Sequence, residues 1–155
     1  MANSILGEGD KVGELFGMLN PINRSATRAG AFAYKVEPYV VAADIYAESP
    51  HTRRGGWTWY TGAAGWLYQA GIESVLGLRI RDGKLTFKPC VPSTWRSYEM
   101  TLRYKTAIYE ITVENPHSAG SGAASVELNG VPQVDHAVTL SDDGVTHLVR
   151  VRMGE

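Results

Sequence analysis

Apolar positions along the chain follow two different periods. Val12, Leu15, Phe16 and Leu19 fall at i, i+3, i+4 and i+7, the spacing of one helix face, and Pro21 closes the pattern. A short amphipathic helix is therefore predicted over residues 10–20. Residues 20–34 hold Asn20, Pro21, Asn23, Ser25, Thr27 and Gly30, and this density of turn formers reads as an ordered loop. A second helix is expected over residues 39–47, with Glu37-Pro38 placing proline where a first helical turn tolerates it. Its circumference is apolar apart from Asp44, a pattern that predicts burial on every side. A third helix runs from Thr61 or Gly62 through Trp66, Leu67, Ala70 and Val75 to a stop near Gly77.

After Gly77 the period falls to two. Leu78 and Ile80, an Asp82-Gly83 turn, then Leu85 and Phe87 make a hairpin. Met100, Leu102 and Tyr104 alternate, as do Tyr109, Ile111 and Val113; Val126 and Leu128 precede an Asn129-Gly130 turn, and residues 146–153 form the last strand. Six to eight short strands of this kind fit an antiparallel two-layered sandwich. The expected fold is α+β, with helices in residues 1–76 and the sandwich in residues 77–155. Three helices and one sheet cannot cover a helix that is apolar all round. Its missing neighbours are expected upstream in a longer protein or in a second copy of the chain.

Composition narrows the partners. The formal net charge is -1 and charged residues make up 20%, so no basic field gathers nucleic acid or anionic lipid. The apolar runs are far shorter than the roughly 20 residues that span a bilayer, and no leader pattern opens the chain. The lone Cys90 excludes an internal disulfide and makes the cytoplasm the default location.

The densest chemistry lies in residues 53–62, Arg53-Arg54-Gly55-Gly56-Trp57-Thr58-Trp59-Tyr60-Thr61-Gly62. Indole and phenol rings offer flat apolar faces to the C–H side of a sugar, and glycines allow close backbone approach. Thr61 and Gly62 open a helix, where unpaired N–H groups and the dipole favour an anion such as phosphate. Packing is the commoner role for such an aromatic cluster, and capping the commoner role for Thr61. Lys35 and Glu37 set an ammonium and a carboxylate beside the expected second helix, as sugar-hydroxyl partners or as dipole and solvent contacts. Asp44 needs a basic partner or a polar cavity. No pair of carboxyl groups is recognisable as a hydrolytic acid and base. His51, His117, His136 and His147 are scattered and Cys90 has no partner at ligand spacing, so no metal is expected.

The runs Leu19-Asn20-Pro21-Ile22-Asn23, residues 34–46 (Tyr34-Lys35-Val36-Glu37-Pro38-Tyr39 onward) and Gly55-Gly56-Trp57-Thr58-Trp59-Tyr60-Thr61-Gly62 resemble glycoside hydrolase family 94, the cellobiose phosphorylases and cyclic β-1,2-glucan synthases. The resemblance implies the C-terminal helices of an (α/α)6 barrel followed by a β-sandwich. It implies phosphate contacts from Thr61 and Gly62, and sugar contacts from Glu37 and Lys35, to which the ring chemistry of the aromatic loop adds Trp59 and Tyr60 as candidate sugar contacts. The implied reaction is reversible, inverting phosphorolysis of a β-glucoside, with inorganic phosphate as co-substrate and no other cofactor. The family's general-acid aspartate and a phosphate-contacting histidine are expected upstream of the equivalent of Gly7, and Arg24 stands where relatives often show histidine. No independent turnover is then expected. The alternative is a noncatalytic glycan-binding or assembly module.

Overall fold

A computed structural model describes residues 1–58 and 61–154. The chain divides into two compact units, one of residues 1–13 with 72–155 and the other of residues 14–71.

In the helical unit the predicted first helix is present as α2 (Gly9–Leu19), which begins in the other unit and follows the short α1 (Ala2–Ile5). The segment expected to be a loop instead forms α3 (Pro21–Ser25) and α4 (Arg28–Tyr34). The same turn-forming residues make these helices possible. The Asn20 side chain accepts from the Ile22 N–H with Pro21 in the first turn, and Thr27 accepts from the Gly30 N–H. Short helices are started by the very residues that punctuate loops.

The helix expected over residues 39–47 does not exist. Lys35 ends α4 in the left-handed region at φ 54°, and the chain then turns at Pro38 and Tyr39 before running extended. The Ala43 N–H donates to the Trp57 carbonyl (2.8 Å), Gly56 to Asp44 (2.9 Å) and Tyr46 to Arg54 (2.9 Å), around an antiparallel bridge between Ile45 and Gly55. Residues 43–57 are thus a two-armed ribbon. A short apolar run rich in valine and isoleucine fits either a helix or a strand, and β-branching tips it toward the extended form. Burial also differs from expectation, since Tyr39 is 76% exposed.

The third helix matches its prediction as α5 (Thr61–Gln69), continued by a π-helical segment over Ala70–Val75. Gly77 follows at φ 74°, and its carbonyl accepts from Lys88 (2.7 Å).

The sheet unit holds eight strands: β1 (Leu78–Arg81), β2 (Lys84–Phe87), β3 (Ser97–Tyr104), β4 (Ala107–Glu114), β5 (Ala123–Leu128), β6 (Val131–Pro132), β7 (Ala137–Thr139) and β8 (Thr146–Met153). They form a three-stranded sheet, β1-β2-β7, and a five-stranded sheet, β3-β4-β8-β5-β6. Leu85, Phe87 and Val138 of the first sheet are buried, as are Tyr109, Ile111, Val113, Val126, Val149 and Val151 of the second. Alternation of burial along β4 and β8 gives each strand one inward face, as in a β-sandwich. The predicted Asp82-Gly83 and Asn129-Gly130 turns both carry positive φ at each residue, the requirement of tight hairpins. The sheets are mostly rather than wholly antiparallel, because β4 pairs parallel with β8. Residues 115–145, carrying β5 to β7, provide the long connection that a parallel pair requires.

The N-terminal segment packs tightly within this unit. A Cβ on Gly9 would lie 2.1 Å from the Val91 carbonyl oxygen, and Asp10 accepts from the Ser93 backbone N–H (2.7 Å). Tyr98 donates its hydroxyl to the Leu76 carbonyl (2.8 Å), and burial raises its pKa well above the ordinary tyrosine value. Because the folded value is raised, the unfolded chain loses the proton first. The stability due to neutral Tyr98 is complete below the ordinary tyrosine pKa, near about 10, and is lost as pH climbs from there through the folded value. Tyr98→Phe is therefore expected to flatten the alkaline branch of the stability–pH curve, measured by urea unfolding at stepped pH. An unchanged alkaline slope would exclude Tyr98 as its source.

Candidate functional site

In the helical unit the two glycines of the aromatic loop are fixed by packing. A Cβ on Gly55 would meet Val36 Cγ2 at 2.8 Å and Tyr34 Cε2 at 3.0 Å, and one on Gly56 would meet Asp44 Oδ1 at 2.2 Å. Tyr34 is buried, accepts the Gly55 N–H at its own carbonyl (2.8 Å) and reaches the Val40 carbonyl through its hydroxyl (3.3 Å). Tyr34 thus ties α4 to the Gly55 arm of the ribbon through its backbone carbonyl and to the segment before the ribbon through its hydroxyl. Among the described residues Asp44 has no basic partner in an ion pair; it is exposed, and its carboxylate accepts from the Trp57 backbone N–H (3.0 Å). Its work is to hold the ribbon.

The candidate sugar residues Lys35 and Glu37 are both exposed, one at the C-cap of α4 and the other two residues beyond. Among the described residues neither forms an ion pair. The Glu37 backbone carbonyl accepts from Val40 (3.1 Å), closing the turn that presents its side chain. Trp59 and Tyr60 lie outside the described residues. Thr61 begins α5, and among the described residues nothing lies within 4 Å of a Cβ added at Gly62. Helix start and open approach coincide at Gly62.

A cleft of about 340 Å³ is lined by Tyr46, His51, Arg54, Gly55, Gly56 and Trp57. The linear sequence gave no reason to join Tyr46 and His51 to the aromatic loop, because the ribbon that unites them was read as helix. Their ring centroids are 6.0 Å apart.

In the sheet unit His147 stacks on the buried Tyr109 ring at 4.8 Å. The Leu148 N–H donates to Asn129 Oδ1 (2.8 Å), which turns the Asn129 amide nitrogen toward His147 Nδ1 (3.2 Å). Nδ1 must then accept, leaving Nε2–H to donate to Asp143 (3.1 Å). The Val145 N–H and then His147 hold the Asp143 carboxylate below its usual range. The arrangement pins the β5–β6 turn to β8. Cys90 is buried, and burial raises its thiol pKa, the opposite of what a nucleophile needs. Among the described residues no group of three or more His, Cys, Asp and Glu side chains is placed to hold a metal, and no helix is long and apolar enough to cross a membrane.

Residues 1–77 match the catalytic domain of the glycosyl hydrolase 94 superfamily, and residues 78–121 match the C-terminal domain of glycosyl hydrolase family 65. The chain belongs to glycoside hydrolase family 94. It is 46% identical over 121 residues to the cyclic β-(1,2)-glucan synthase NdvB of Rhizobium meliloti strain 1021, a match covering 78% of this chain and 4% of that protein. It is 32% identical over 155 residues to the N,N'-diacetylchitobiose phosphorylase of Vibrio furnissii, covering 99% of this chain and 19% of the relative. Against the solabiose phosphorylase of Paenibacillus borealis it is 28% identical over 119 residues, 76% of this chain and 15% of the other. The chain thus spans less than a fifth of the length of each of these relatives. The (α/α)6 barrel is not present in the described helices, which are few and short.

Proposed function

We propose that this chain supplies phosphate and sugar contacts to an inverting β-glucoside phosphorylase or cyclic β-1,2-glucan synthase. In this reading residues 1–76 are the last helices of a barrel and residues 77–155 the sandwich behind them. Gly62 and Thr61 receive phosphate at the start of α5. Glu37, with Lys35, Trp59 and Tyr60, faces the acceptor sugar. Phosphate attacks the anomeric carbon while an aspartic acid protonates the leaving oxygen, a proton-transfer role that no residue of this chain fills. That acid comes from an upstream barrel region or a second copy.

The observation that carries the reading is the open start of α5. Among the described residues Gly62 has nothing within 4 Å of an added methyl, so none of them demands glycine there for want of room. Backbone N–H groups at a helix start bind anions most directly when no side chain stands before them. Glu37 and Lys35, exposed and without an ion pair among the described residues, support the sugar assignment in the same way.

The test is a phosphate titration followed by phosphorus NMR. The chain is expected to bind inorganic phosphate weakly, with Kd on the order of millimolar. Gly62→Ala is expected to leave the fold intact and weaken binding about tenfold, since the methyl occupies the approach to the N–H groups. Equal affinity in the two proteins would refute the phosphate assignment. Glucose 1-phosphate released from β-1,2- or β-1,4-linked glucans by the purified chain would refute the claim that its acid lies elsewhere.

A further inference from the structure

We propose that the β3 edge of the five-stranded sheet is the docking surface for a second copy of this chain. The two β3 strands pair antiparallel about a two-fold axis at Thr101 and join the two sheets into one. The inference stands apart from the carbohydrate reading above and uses none of its residues.

Among the described strands β3 is the edge that the fold leaves unprotected. The other sheet edges are short: β1 has four residues, β7 three, and β6 two, one of them Pro132. Short strands and proline are the usual means of keeping an edge from pairing. β3 runs for eight residues without proline, and its register with β4 is unbroken from Ser97 with Glu114 to Tyr104 with Ala107. The two-residue Lys105-Thr106 turn makes Tyr104 and Ala107 a hydrogen-bonded pair, and the alternation of an antiparallel ladder then turns the N–H and C=O groups of Glu99, Thr101 and Arg103 outward. Among the described residues none of these outward groups has a backbone partner. The flank of the core is open in the same place. Met100 and Leu102 face inward yet are only half-buried, whereas their β4 partners Ile111 and Tyr109 are 1% and 0% exposed.

The occupant follows from the residues of the edge, which are complementary to themselves. Outward from Thr101, Met100 answers Leu102, Glu99 answers Arg103 and Tyr98 answers Tyr104. An antiparallel copy centred on Thr101 therefore sets apolar against apolar, carboxylate against guanidinium and phenol against phenol, each pair twice. Cross-strand pairs of these kinds are favourable. Glu99 and Arg103 are exposed and, among the described residues, neither forms an ion pair. Four residues apart on one extended strand, about 13 Å, they cannot reach each other. The two-fold copy brings each to its opposite. Slipping the axis to Glu99 or to Arg103 sets like charges face to face, so the charges also select the register.

Sedimentation equilibrium on the full chain, with hydrogen exchange of backbone amides followed over the same concentrations, tests this. The parent is expected to pass from monomer to dimer between micromolar and millimolar concentration. The amides of Glu99, Thr101 and Arg103 gain protection as it does, while those of Met100 and Leu102, already bonded to β4, stay protected throughout. Glu99→Arg or Arg103→Glu alone sets like charges opposite each other twice and is expected to weaken the dimer about tenfold or more. The two substitutions together restore the match and are expected to recover the parental affinity. Thr101→Pro removes an outward N–H while sparing the β4 ladder, and is expected to leave the chain monomeric. Each position is exposed, and an unchanged far-ultraviolet circular dichroism spectrum confirms the fold. A parent chain that stays monomeric up to millimolar concentration would overturn the proposal. So would failure of the paired substitutions to recover a dimer lost in the single ones, or a dimer in which the Glu99, Thr101 and Arg103 amides stay unprotected, which would mean that the copies meet elsewhere.

Discussion

Replacing Gly77 by alanine is expected to destabilise the sheet unit by about 3 to 5 kcal/mol and to lower its unfolding midpoint by about 20 °C. Two effects add at this position. Its φ of 74° lies in the region that side-chain-bearing residues avoid. A Cβ there would also lie 2.1 Å from the Lys88 carbonyl carbon and 2.2 Å from Pro89 N. Those neighbours are backbone, so relief requires moving the β2 exit rather than turning a side chain. Gly83 separates the two terms, since it has φ 71° and nothing within 4 Å. Gly83→Ala is expected to destabilise by only about 1 kcal/mol. Thermal unfolding followed by circular dichroism, with hydrogen exchange of β1 and β2 amides, makes the comparison. Equal losses at the two positions would refute the close-approach argument.

Asn115→Leu is expected to be of similar size, about 3 to 5 kcal/mol, for a different reason. Asn115 is 1% exposed, and its amide nitrogen donates to the carbonyls of Trp95 (3.0 Å) and Ala119 (2.9 Å) while its oxygen accepts from the Ala119 N–H (2.7 Å). One side chain therefore satisfies three backbone groups, two in the loop after β4 and one just before β3. Leucine branches at the same carbon but is larger and leaves all three without partners, and both overpacking and buried polar groups without partners are costly. Asn115→Asp adds a directional check. An ionised carboxylate would face the Trp95 and Ala119 carbonyls, so the folded state would raise its pKa. Its stability relative to the parent is then greater at acidic than at neutral pH, and lost as pH rises through the raised value. Chemical denaturation at both pH values decides this, and a pH-independent deficit would exclude the proposed contacts.

The strand half was legible because its signals are local. Alternation over Leu85 and Phe87, or over Tyr109, Ile111 and Val113, states which face is inward, and Asp82-Gly83 and Asn129-Gly130 state where the chain reverses. Pairing between distant strands carries no such mark, so the parallel register of Ile108 with Thr146 through Glu114 with Arg152 was not foreseeable. The helical half failed where two elements share a vocabulary. Asn20 and Thr27 read as loop residues when isolated and are helix caps in place. The run from Tyr39 to Ala47 has the composition of either a buried helix or a strand, and the tie was broken by pairing with residues 53–57, which no window of sequence contains.

The site was legible in its residue types and less so in its geometry. Gly55 and Gly56 were expected to make room for a ligand, whereas Tyr34, Val36 and Asp44 require them for packing. Of the three glycines in residues 53–62, Gly62 is the one with free space among the described residues. Tyr46 and His51 joined the candidate chemistry only through the fold. Resemblance to family 94 named Glu37, Lys35, Thr61 and Gly62, roles that spacing alone left open between binding and capping.

The strand order of the larger sheet has a consequence for synthesis. β8, the last strand in the sequence, lies between β4 and β5. A ribosome making this chain delivers β3 and β4 as a hairpin and β5 with β6 as another, yet neither hairpin can complete its hydrogen bonding until residues 146–153 have left the exit tunnel. Until that moment the facing edges of β4 and β5 are open to other strands. The sheet unit is therefore obliged to fold after its translation rather than during it, and its period of greatest vulnerability to misassembly is fixed by the time needed to make residues 115–153.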